Sequence, residues 1–168
     1  MTLSGGLTEA PCVSLDLATS PLALFAIDMA QPSSLYAFEG LWTLSRVIRH
    51  ESGLTDSFNG ECEFTRSGHR LIQDERGVLI TAEGQFDATR RYIWSERNDR
   101  LEVQFDDMRP FHTIPLNDVA PRTVHLCDPD RYQVTYDFAE WPVWRTVWAV
   151  EGPRKGYVME TEYAPKEA

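Results

Sequence analysis

A chain of 168 residues with 25% charged and 42% hydrophobic side chains is long enough to bury one core without disulfide or metal staples, and one domain is expected. Its net charge of -10 argues against a nucleic-acid partner, because affinity there comes mostly from Lys and Arg neutralising phosphates. The scattered Cys12, Cys62 and Cys127 make no disulfide framework, no Lys or Arg precedes Arg46 to open a signal peptide, and no run of about 18 apolar residues spans a bilayer, so a cytoplasmic protein with no membrane partner is expected.

Residues 1–30 mix Gly, Ser, Thr, Pro and small apolar side chains without periodicity and are expected to form an N-terminal arm on a domain that occupies residues 31–168. Pro32, Ser33 and Ser34 ahead of Leu35, Tyr36 and Phe38 predict a capped helix of two turns at most, ending at Gly40 and suited to act as a lid. From Gly40 the period becomes two. Over residues 40–49 one face carries Trp42, Leu44, Arg46 and Ile48, so Arg46 shares a face with three apolar side chains. That places it either in a structural ion pair or as an inward cation facing a ligand.

Further strands are expected over residues 58–66, 69–75, 78–86, 88–95 and 101–105, separated by turn residues at Gly53, Ser67-Gly68, Arg76-Gly77, Asp87 and Asn98-Asp99. A long connection follows, and strands resume over 123–126, 131–138, 143–150 and 157–163. Many short strands with hardly a helical pattern between them predict an all-β fold: a single antiparallel up-and-down barrel of about eight to ten strands with a ligand cavity.

The opening Gly40-Leu41-Trp42 resembles the GxW of lipocalins and other calycins, in which the Trp plugs one end of the barrel near a basic residue from the final strands. More specifically, GLWTLSRVI, RRYIW, VQFDD-M-RPFH, HLCDPDRY and W-x-V-x-GPRK-x-Y occur in order and resemble an uncharacterised family, domain of unknown function 6314, over about residues 38–163. The resemblance implies a lipocalin-like fold and no particular reaction. The family pattern has Gly where this chain has Met108 and Asp where it has Gly156. The first change removes a residue that takes positive φ at low cost, and the second deletes a carboxylate beside Arg154 and Lys155.

Candidate chemistry concentrates in residues 101–132. Arg46, Arg90, Arg91, Arg109, Arg154 and Lys155 lie in or beside apolar strand segments of an acidic protein. Several of them in one cavity would favour an anion, because the guanidinium fork matches a carboxylate and keeps its charge when desolvated. The plainer reading pairs them with Glu75, Asp106, Asp107, Asp128 and Asp130. Alternation leaves open which of Arg90 and Arg91 points inward. For the pocket the expected set is Arg46, Glu75, Arg91, Tyr92, Trp94, Arg109, Phe111, Trp148, Arg154 and Lys155.

His112, His125 and Tyr132 are the acid–base candidates. His125-Leu126-Cys127 puts an imidazole and a thiol on one strand face beside Asp128, a set able to hold a soft metal, yet no CxxC or HExxH spacing supports it, and neither metal nor cofactor is expected. Cys127 reads more simply as a buried, inert thiol, and Asp128-Pro129-Asp130 as a turn. The expected function is binding of a small, anionic, partly aromatic or aliphatic molecule, with a homodimer left open. The alternatives are a small barrel enzyme of isomerase, cyclase or lyase type using His112 and His125, and an interaction module whose barrel is filled by side chains.

Overall fold

The structure, a computed structural model, describes residues 31–167. The expected arm and Cys12 lie outside them. Strong period-two patterning becomes ten antiparallel strands: β1 (Gly40–His50), β2 (Thr55–Ser67), β3 (Arg70–Thr81), β4 (Gly84–Arg97), β5 (Arg100–Phe105), β6 (Pro110–Pro115), β7 (Arg122–Cys127), β8 (Asp130–Asp137), β9 (Trp144–Gly152) and β10 (Lys155–Pro165). Each pairs with its sequence neighbours except across the β6–β7 link, and β1 also pairs with β10, so the order runs β6-β5-β4-β3-β2-β1-β10-β9-β8-β7. The end strands β6 and β7 come together without a ladder, and rings seal the seam instead: Phe111 lies 5.0 Å and Phe105 6.1 Å from the His125 ring. The result is the expected up-and-down barrel, nearly closed.

Three details differ from the sequence expectation. The stretches 69–75, 78–86 and 88–95 form two long strands, β3 and β4, which turn at residues 82–83. Gly77 is no turn but the cross-strand partner of Gly60. A Cβ on Gly77 would stand 2.7 Å from the Gly60 Cα, so two glycines let β2 and β3 approach closely at this pair. Then β6 arises inside the long connection.

The lid is smaller than expected, a single 3₁₀ turn at Leu35–Phe38. Ser34 makes no side-chain cap bond; the Leu35 amide donates to the Glu96 carboxylate at 2.7 Å, so β4 holds the turn in place. Phe38 is completely buried, and its ring lies 5.1–5.9 Å from Phe64, Trp94, Phe138, Trp141 and Trp144. Burial of such a ring contributes about 2–3 kcal/mol. Trp42 is buried beneath this plug and donates from Nε1 to the Phe38 carbonyl at 2.8 Å. Its aromatic neighbours are Trp141 and Trp144, whereas the cations that stand over rings choose Phe58, Tyr36, Tyr92, Phe105 and Tyr132. Among the described residues no cation stands over the Trp42 ring, and two indoles pack beside it instead.

Both departures from the family pattern have structural correlates. Met108, in the β5–β6 turn, has φ 70°, a conformation in which its Cβ crowds the backbone. Met108→Gly is expected to raise stability by about 1 kcal/mol, read from the urea midpoint. At Gly156 the Glu51 carboxylate occupies the space a Cβ would take, so an Asp there would meet a like charge at contact. Among the described residues no helix is long and apolar enough to cross a membrane.

Candidate functional site

Strand direction defines two ends. β1 starts and β10 finishes at the plugged end; the links at residues 51–54, 82–83, 106–109, 128–129 and 153–154 ring the other end, which is open among the described residues. Between them lies a cavity of about 460 Å³ lined mostly by aromatic and aliphatic side chains, among them Phe58, Tyr92, Trp94, Phe105, Phe111 and Trp148. That volume suits a small molecule.

At mid-depth the cavity wall carries one polar network. Arg46 donates from one terminal nitrogen to both oxygens of Glu75, at 2.8 and 3.0 Å, and from Nε to Thr161 Oγ1 at 2.8 Å. Glu75 also accepts from Gln73 Nε2 at 3.0 Å and Tyr163 Oη at 2.8 Å, while Trp94 Nε1 donates to Gln73 Oε1 at 2.7 Å. Burial opposes the Arg46 charge, but the adjacent Glu75 carboxylate more than offsets this and holds the guanidinium above its usual value. Arg46 thus lines the cavity while its charge is paired with Glu75. Cys62, fully buried next to this network, is pushed well above the thiol range by burial and by the negative Glu75.

The two adjacent arginines of β4 separate by strand alternation. Ala88, Arg90, Tyr92 and Trp94 line the cavity. Arg91 points outward, where its register partner Asp74 accepts two hydrogen bonds at 2.7 and 2.8 Å. Arg90 stands over the Tyr92 and Phe105 rings, at 5.1 and 5.8 Å, and donates to Tyr92 Oη at 3.0 Å. Among the described residues no carboxylate pairs with it; Glu75, its cross-strand neighbour, turns to Arg46 instead. Expected site residue Arg91 is thus replaced inside the cavity by Arg90.

Arg109 sits on the rim, three-quarters exposed and bonded to Asp107 at 2.6 Å. With Arg90, Arg91 and Asp106 it lines a second, more polar depression that also takes in Asp74, Glu75 and Phe105, so Arg90 borders both this depression and the cavity. Arg154 is exposed in the β9–β10 turn, outside the cavity lining. Lys155 bonds Asp130 at 2.7 Å and the Tyr132 hydroxyl; these two bonds raise its pKa above the usual amine range and leave it tied down at the rim.

Phe111 reaches the cavity through a β-bulge. The β5–β6 register shifts between Val103 and Gln104, leaving Phe111 unopposed, so that Phe111 and its neighbour His112 both turn to the interior. Phe111 stacks between Tyr92 and Trp148, at centroid distances of 5.5 and 5.2 Å and interplanar angles of 6° and 7°.

His125 and Cys127 face the mouth from β7, with Tyr132 beside them on β8, while Leu126 between them points out and is 72% exposed; Cys127 is itself exposed there, not buried as expected, because β7 is an end strand at the open rim. His112 does not line the cavity. It is buried behind Phe111 and Trp148, at 4.6 and 5.3 Å, with Nε2 2.7 Å from Tyr136 Oη. Burial, assisted by nearby His125, pushes its pKa down to about 3. The unfolded chain takes up this proton near the ordinary value of about 6.5, so between those limits acid stabilises the unfolded state. His112 therefore makes stability fall by about 1.4 kcal/mol per pH unit below about pH 6.5, and urea midpoints should show a flatter acid limb in His112→Phe.

Gln73, Arg90, Tyr136 and Tyr163 are cavity residues that the sequence expectation omits. Their signal is visible once faces are fixed, since Leu71, Gln73, Glu75 and Leu79 line one face of β3, and Tyr157, Met159, Thr161 and Tyr163 one face of β10. Among the described residues no three His, Cys, Asp or Glu side chains converge as a metal site.

Comparison with known proteins agrees with this architecture. A family model described as Family of unknown function (DUF6314) matches residues 38–165. No curated protein matches the chain. Among solved structures, the S-type phycobiliprotein lyase CPES from Guillardia theta superposes with a TM-score of 0.59 at 8% identity, covering 80% of this chain and 91% of that one. At that identity the likeness concerns the barrel alone.

Proposed function

From a chain that belongs to the DUF6314 family of unknown function, we propose a small-molecule binding protein whose cavity takes an anionic ligand with a flat aromatic or aliphatic body. The observation that carries the reading is Arg90: a solvent-exposed guanidinium that borders a mostly apolar cavity of about 460 Å³, with no carboxylate partner among the described residues. Arg46, Arg91, Arg109 and Lys155 each have one. An anionic head would accept charge-assisted bonds from Arg90, while the body packs on Tyr92, Phe105, Phe111 and Trp148. The structural neighbour is named a lyase of phycobiliproteins, and its barrel fits a ligand-binding use of this fold.

The enzyme alternative keeps two of its three residues at the cavity, because His125 and Tyr132 face the mouth 6.0 Å apart, while His112 lies behind the wall. Its test is turnover lost in His125→Ala. The binding reading is tested with anilinonaphthalenesulfonate, a fused-ring anion that fluoresces in apolar surroundings. Saturable enhancement at one dye per chain is expected; a rise that does not saturate, or no rise, contradicts it.

A further inference from the structure

Two buried side-chain nitrogens, His112 Nδ1 and Trp144 Nε1, have no hydrogen-bond partner among the described residues. Trp144 is closed in by the Tyr163 face at 3.8 Å and by the edge-on rings of Phe38 and Trp42. His112 is different, because its other nitrogen is engaged and its two tautomers leave different groups unsatisfied. With the proton on Nδ1, the ring accepts from Tyr136 and buries an N–H donor against apolar walls. With the proton on Nε2, it donates to Tyr136 Oη at 2.7 Å and leaves only a lone pair unpartnered. A buried donor without an acceptor is the rarer and costlier outcome, so the second tautomer is favoured.

That choice sets what Tyr136 offers. Its ring is buried between Phe138 and Trp144, it lines the cavity, and its hydroxyl makes no other hydrogen bond among the described residues. We infer that His112 carries its proton on Nε2 and, by donating to Tyr136 Oη, turns the Tyr136 hydroxyl into a hydrogen-bond donor for a ligand in the cavity. Such a ligand is an acid with an acceptor oxygen, carbonyl, ether or second carboxylate, on its inner part. The ligand clause rests on the binding function proposed above; the tautomer does not. In this arrangement His112 is a positioning residue that never touches the ligand, which accounts for a histidine buried behind the cavity wall. The ionisable groups that act on it are Tyr136, in hydrogen-bond contact, and His125; Tyr92 and Glu75 act on Tyr136.

The test has two arms. Long-range proton–nitrogen spectra of the free, histidine-labelled protein are expected to show the Nε2–H tautomer for His112, assigned by its loss in His112→Phe; the Nδ1–H tautomer overturns the inference whatever the cavity binds. In the second arm para-acetylbenzoate is compared with para-isopropylbenzoate, which has the same shape and no acceptor. Wild-type protein is expected to bind the acetyl compound roughly tenfold more tightly, and Tyr136→Phe to bind the two alike. An equal affinity in wild type, or a preference that survives Tyr136→Phe, overturns the role of Tyr136 while leaving cavity binding intact. Failure of both benzoates to bind contradicts the binding function itself, and the ligand clause falls with it.

Discussion

Glu75→Ala is expected to destabilise the barrel by about 3–5 kcal/mol, the effect of leaving one buried charge without its partner. Glu75 is 3% exposed and gathers Arg46, Gln73 and Tyr163 around one carboxylate. Its removal strands the Arg46 guanidinium, whose side chain is 15% exposed, and leaves Gln73 and Tyr163 without an acceptor. The charge itself is isolated by Glu75→Gln, which keeps shape and some hydrogen bonding yet should still cost a large part of the loss. Replacing both partners, Arg46→Met with Glu75→Leu, should recover most of the stability, because a pair of apolar side chains of similar volume does not carry the desolvation cost. Urea unfolding of the four proteins measures all these differences. A double variant as unstable as Glu75→Ala would mean that the network contributes through packing and not through charge.

Arg90→Gln should weaken binding of anilinonaphthalenesulfonate by tenfold or more, since a hydrogen bond to a charged group contributes roughly 1.5–3 kcal/mol. Arg91→Gln is the matched control: one residue away, it removes an outward guanidinium that already holds Asp74, and dye affinity should stay unchanged. Fluorescence titration of the two variants at the same ionic strength separates them. Equal losses would point to the acidic protein's overall field and not to a head-group contact.

Much of the barrel is legible in the sequence because both faces of its strands are marked. In β1, Trp42, Leu44, Arg46 and Ile48 alternate with a mixed set that includes Thr43, Ser45 and Arg49, and the face they define is the interior one. Where a strand has partly apolar side chains on both faces, as around Arg90 and Arg91, alternation gives no direction; Asp74 across the ladder decides it, and ladder register is not local information. Gly77 is misleading for a related reason. A glycine beside Arg76 reads as a turn, but its missing Cβ serves a close approach to Gly60, seventeen residues earlier in the chain and adjacent only after β2 and β3 pair.

Phe111 and His112 are hidden more deeply. A regular strand would send them to opposite faces, and only the bulge opposite Val103 and Gln104 turns both inward. Imidazole chemistry draws attention to His112, yet its neighbours Phe111, Trp148 and Tyr136 bury it and exclude the proton that an acid–base role near neutrality would need. The Arg46–Glu75 pair shows the opposite case: both residues are identifiable as inward groups, and their mutual bond, formed between β1 and β3, removes Arg46 from the cations free to meet a ligand.

The most direct test is a crystal structure of the protein with anilinonaphthalenesulfonate bound. The expected result places the fused rings in the cavity against Phe111 and Trp148 and the sulfonate in hydrogen-bonding contact with Arg90. A dye seated on the outer wall beside Arg91 and Arg109, or a cavity filled by its own side chains, would contradict the binding function.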